Sequence, residues 1–122
     1  MSVSGSATGR VRTERGDVLI ERLHIAATPW RRLRGLLGRT ELAAGEGLLI
    51  RPCGGIHTTG MRFAIDVIFL DRAGTVLRVV RDLRPCRICP GPRGTCAVLE
   101  VQSGWLPPTA IPEGIRLVVE ER

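Results

Sequence analysis

Ala64–Asp71 is the stretch that most constrains the fold of this chain. As an extended segment it presents Ala64, Asp66, Ile68 and Leu70 on one face and Ile65, Val67, Phe69 and Asp71 on the other. Only Asp66 and the terminal Asp71 interrupt two apolar faces, so the strand must be covered above and below. A carboxylate in such a strand is partly desolvated and must find donors or a cation, or its pKa rises. Asp66 is therefore a committed residue, either capping backbone amides of the preceding loop or serving a ligand.

Around this strand the punctuation marks several others. Val76–Leu83 comes next, across Asp71-Arg72-Ala73-Gly74, which is hairpin chemistry, with Asp starting the turn and Gly supplying a positive φ. Val18–Ile25, Gly47–Arg51, Thr95–Val101 and Ile115–Glu120 read as further strands, and the Pro- and Gly-rich Arg84–Gly94 reads as a loop. One helix is predicted over residues 29–37. Thr28-Pro29 provides its start, Trp30, Leu33, Leu36 and Leu37 its apolar side, and Gly38 its stop. Aromatic residues make up only 3% of the chain and Tyr is absent, so the core must rest on Val, Leu and Ile. The expectation is one mainly β domain over residues 14–122, a compact antiparallel sandwich or barrel with one short amphipathic helix, preceded by a flexible tail over residues 1–13.

The segment before the central strand concentrates chemistry. In Gly54-Gly55-Ile56-His57-Thr58-Thr59-Gly60-Met61-Arg62, three Gly permit close approach of a ligand, while His57, the Thr hydroxyls and Arg62 offer proton-transferring, hydrogen-bonding and cationic groups. The expected ligand-binding set is Arg34, His57, Thr58, Met61, Arg62 and Asp66, with a small polar or anionic molecule as the ligand, since Arg recognises carboxylate or phosphate bidentately. A hydrolase-type enzyme with His57 as base and Asp66 orienting it is the alternative. No nucleophile motif, phosphate loop or carboxylate pair accompanies them, so whether the chain is an enzyme stays open.

Cys53, Ile56–Asp71, Gly74 and Val76 together resemble the signature of the domain-of-unknown-function 192 family. Arg34-Gly35-Leu36-Leu37-Gly38-Arg39, Leu83-Arg84-Pro85, Val98-Leu99-Glu100 and Gly104 extend the resemblance to nearly all of Val18–Val119. It implies a mainly β, sandwich-like bacterial or archaeal domain with a small helix, and it implies no established activity, cofactor or substrate. Cys86 stands where many relatives carry an aromatic residue after Leu-x-Pro.

Two further features admit functional readings. Cys86-x2-Cys89 has zinc-knuckle spacing and Cys53-x3-His57 is ligand-like, so Cys53, His57, Cys86, Cys89 and Cys96 form a conceivable zinc set. The pairs fall on separate loops, and the expectation is no cofactor. The net charge is +6, and all 18 basic residues are Arg. Arg31, Arg32, Arg78, Arg81, Arg84, Arg87 and Arg93 would make an interaction surface for nucleic acid or an acidic partner, a second alternative that the scattered acids and scarce aromatics weaken. No apolar run is long enough for a membrane span and no signal segment is visible, which points to the cytoplasm.

Overall fold

The structure, a computed structural model, describes residues 7–26, 42–58, 61–106 and 111–122. Among the described residues, nine strands form two sheets. β1 is Ala7–Thr13, β2 Val18–Ala26, β3 Glu46–Ile50, β4 Gly55–His57, β5 Ile65–Leu70, β6 Val76–Leu83, β7 Ile88–Pro90, β8 Ala97–Gln102 and β9 Leu117–Glu121. Seven build the main sheet in the order β6-β5-β8-β3-β2-β1-β9, and β4 pairs with β7 in a separate two-stranded ribbon.

The main sheet curls until its two edge strands approach each other. Thr75, just before β6, bridges to Arg116, just before β9, and backbone bonds from Val76 to Ile115 (2.8 Å) and from Leu117 to Gly74 (2.9 Å) secure the junction. The architecture is thus a half-barrel, and it is mixed: β2 and β3 run parallel, whereas the sequence predicts antiparallel pairing throughout. A parallel neighbour needs a crossover of a dozen or more residues, which here is the chain between Ala26 and Glu46. The helix expected over residues 29–37 lies in that crossover, outside the described residues.

β5 shows why the sheet is two-sided. All six of its residues are buried. Ile68 and Leu70 join a concave cluster with Ile25, Leu49, Leu99 and Leu117, whereas Ile65, Val67 and Phe69 join a convex cluster with Leu48, Ile50 and Val98. Each such side chain contributes about 1.5–3 kcal/mol when fully buried, so the central strand alone anchors both layers. The ribbon lies against the convex layer through Ile56 and Cys89.

Three further sequence expectations need correction. Ala7–Thr13, assigned to the tail, forms β1 between β2 and β9, and its single strongly apolar residue, Val11, is fully buried. The Arg84–Gly94 loop contains β7, and the loop before β5 contains β4. The Asp71–Gly74 turn is as expected: the Asp71 carboxylate accepts the amides of Ala73 and Thr75, each at 2.9 Å, and Gly74 has φ 90°. None of the described residues forms a helix long and apolar enough to cross a membrane.

Candidate functional site

The expected site residues fall into separate environments. Asp66 is buried on the concave side of β5, and its carboxylate accepts backbone amides of Asp82 (2.8 Å) and Gly104 (3.0 Å) and Nη1 of Arg81 (3.3 Å). It therefore ties β6 and the turn after β8 to the central strand, rather than capping the loop that precedes it. His57 sits exposed on β4, in the ribbon that packs on the opposite, convex side. The sheet stands between these two residues, and no hydrogen bond joins them. The dyad required for the hydrolase alternative is not assembled.

Thr58 is completely buried, and its hydroxyl donates to the Arg84 carbonyl (2.6 Å) and accepts the Arg87 amide (2.9 Å). Met61 is 7% exposed and belongs to the convex core, so its side chain is core material. Arg62 is exposed, and Arg34 lies outside the described residues. Beside His57 there is a depression of about 670 Å³ lined by Gly54, Gly55, Ile56, His57, Ile88 and Pro90, with Ile88 83% exposed. It offers one polar side chain, His57, and no built cluster of donors.

The four cysteines are not gathered into one cluster among the described residues. All four are free thiols, and among the described residues no group of three or more His, Cys, Asp or Glu is placed to hold a metal ion. Cys53 donates to the Gly55 carbonyl (2.9 Å), and burial pushes the Cys89 thiol up despite the nearby Arg78. Of the Arg-rich surface, Arg81 is spent on Asp66 and on the Leu106 carbonyl (2.7 Å), and Arg31 and Arg32 lie outside the described residues.

The curl creates a different cavity, of about 610 Å³, on the concave side between β9 and the ends of β3, β5 and β8. Leu49, Leu70, Ala97, Leu117 and Val119 supply an apolar wall, all of them part of the concave cluster or packed on it. Arg51, Arg72 and Arg116 stand among the lining residues together with Asp71 and Cys96. Arg51 is ion-paired with Glu121, and Arg116 gives its Nε to the Ala73 carbonyl at 2.9 Å. Arg72 has no partner among the described residues. This volume falls within the roughly 300–1,000 Å³ of small-molecule pockets, and mouths of β barrels are a recurrent place for them. No sequence signal announced it, because its residues come from four strands far apart in the chain.

A second feature that the sequence left unmarked is Glu100 on β8. It pairs across the sheet with Leu48 on one side and Val67 on the other, in the apolar convex layer, and is 4% exposed. Burial pushes its carboxyl up to about 8. In the same cross-strand row, two strands away, His24 bonds Glu46 through Nε2 at 2.9 Å, while its Nδ1 is buried without a partner among the described residues. The signal was available: an acid within the apolar run Ala97–Val101 is the same pattern as Asp66 in β5.

Comparison with known proteins agrees with the resemblance in the sequence. The profile of the DUF192 family, described as Uncharacterized ACR, COG1430, matches residues 10–119. The chain is similar to a crystal structure from Sinorhizobium meliloti 1021, provisionally described as a transcription regulator, with TM-score 0.80, 22% identity and 98% of both chains covered. It is also similar to a protein of unknown function from Novosphingobium aromaticivorans DSM 12444, with TM-score 0.79, 25% identity, and 97% of this chain and 89% of the other covered. No curated protein matches it.

Proposed function

Since the chain belongs to the DUF192 family, which has no established function, we propose that it is a small-ligand-binding domain whose site is the cavity between β9 and the ends of β3, β5 and β8. The observation that carries this reading is the combination of a cavity of about 610 Å³, an apolar wall and Arg side chains at its edge. Apolar surface supplies affinity when it loses water, and a few charged groups fix orientation. The wall rests on β3, β5, β8 and β9, which are held in register by the main sheet, so little has to be ordered when a ligand enters. The loop at His57 serves this reading less well, because Thr58 and Met61 are spent on the fold and Asp66 faces the other side of the sheet.

A thermal-shift screen with small acids, amines, sugars and nucleotides tests it. A ligand at a hundred times its Kd adds about 2.7 kcal/mol, a rise of several degrees in Tm. Ala97→Leu, which fills the cavity from its wall, is expected to abolish that rise, whereas His57→Ala and Arg62→Ala preserve it. The reverse pattern would return the site to the His57 loop. A screen in which no compound raises Tm would remove the binding reading altogether.

A further inference from the structure

We propose that the ligand of this cavity is an organic anion with an apolar tail, of the alkyl carboxylate class. The inference rests on the cavity being the binding site and adds the chemistry of its occupant. The charges at the edge are unequal in availability. Asp71 is the one acid among the described lining residues, and its Oδ1 is already engaged by the two turn amides of Ala73 and Thr75. Arg51 is offset by Glu121. Arg116 commits its Nε to Ala73 and keeps two terminal nitrogens for donation, and Arg72 commits none to the described residues.

Arg72 lies in the β5–β6 turn, and Arg116, at the junction where β9 meets that turn, reaches its Ala73 carbonyl, so both residues border one corner of the cavity. A planar guanidinium fork suits a carboxylate, and two at one corner favour an anion over a neutral head group. Behind them Leu49, Leu70, Leu117 and Val119 line the cavity with side chains that carry no polar atom, which favours an apolar body for the ligand beyond its charged head. Inorganic phosphate would satisfy the guanidinium groups and leave the wall uncovered, and an alkyl alcohol would do the reverse.

The test uses methyl NMR of the full chain, tracking Leu49, Leu70, Leu117 and Val119, with butanoate, octanoate, hexadecanoate, 1-octanol and inorganic phosphate as probes. Octanoate is expected to move these methyls and to bind more tightly than either 1-octanol or phosphate. Arg72→Gln should weaken octanoate about ten-fold, the loss expected for one charge-assisted contact, and leave 1-octanol unchanged. Arg116→Gln should do the same, but Arg72 is the safer probe of the idea because it supports no other described contact. A length series that stops improving at octanoate indicates a short free carboxylate, and one that improves through hexadecanoate indicates a lipid acyl chain; either outcome supports the class. Equal affinity for octanoate and 1-octanol, insensitive to Arg72→Gln, would overturn the anion while leaving the cavity as the site. Methyls that move with no probe would overturn both.

Discussion

The carboxylate of Asp66 accepts the backbone N–H of Asp82 at 2.8 Å, at the place where β6 carries two residues against one in β5. Ile65 pairs with Leu83 and Val67 with Val80, so Arg81 and Asp82 together oppose Asp66, and Asp82 adopts φ 54°. A bulge leaves backbone groups without ladder partners, and here a side chain on the neighbouring strand supplies one of them.

Asp66→Asn should therefore destabilise the domain by about 1–3 kcal/mol. The amide nitrogen would face donors that the carboxylate now accepts, leaving a buried N–H unsatisfied. For a chain of this size that is a fall in Tm of at least several degrees. Arg81→Ala should cost less, about 1 kcal/mol, because it gives up the 3.3 Å contact with Asp66 and the 2.7 Å bond to the Leu106 carbonyl from a side chain that is one-third exposed. Urea denaturation of both variants checks the order, and an Asp66→Asn protein as stable as the parent would refute the clamp.

The buried acid in β5 was legible because six consecutive residues alternate into two apolar faces, and the β6 boundaries and the Asp71–Gly74 turn were legible from β propensity and turn chemistry. β1 was not, since Val11 is its one strongly apolar residue and its neighbours are small or charged. Three-residue strands such as β4 and β7, carrying Gly and Pro, hold too little pattern to see. The parallel pairing of β2 with β3 depends on a crossover, not on either strand. For the site, closeness in sequence misled: His57 and Asp66 are nine residues apart and on opposite sides of the sheet. The cavity wall joins Leu49, Leu70, Ala97 and Leu117, whose adjacency exists only once the sheet has curled.

Gly9→Ala tests whether β1 is integral. Gly9 is buried between β2 and β9, and a Cβ there would run into the carbonyl oxygen of Glu120 and the Cα of Glu121. Both are backbone atoms in a paired strand, so neither can swing away, and a loss of about 1–3 kcal/mol is expected. A residue in a flexible tail would tolerate alanine without change. Hydrogen exchange at Val11 and Val119 offers an independent check, since both amides should open together in the variant.

Thr58 and His57, adjacent in sequence, should differ sharply. Thr58→Val removes the hydroxyl that joins the Arg84 carbonyl and the Arg87 amide, at a cost of about 2 kcal/mol. His57→Ala removes an exposed side chain and should stay within about 0.5 kcal/mol. Thermal unfolding of the pair decides the matter, and equal losses would mean that His57 supports the fold.

Glu100 should make the domain less stable as pH rises. Its ordinary value is 4.5, and burial between Leu48 and Val67 raises it to about 8 in the folded state. Below pH 4.5 the group is protonated whether the chain is folded or not, and its contribution is fully present. Between 4.5 and about 8 the unfolded chain releases the proton while the folded chain keeps it, so stability falls across that window and levels off above it. A shift of that size corresponds to a loss on the order of 5 kcal/mol, a large part of the roughly 5–15 kcal/mol that holds a typical domain together. Gln has nearly the shape of a protonated Glu and does not ionise. Glu100→Gln should lie within about 1 kcal/mol of the parent at pH 5, exceed it by several kcal/mol at pH 9, and show a flatter profile between. Urea midpoints measured from pH 5 to 9 for both proteins carry the comparison, and parallel curves would mean that Glu100 ionises in the folded protein as easily as in water.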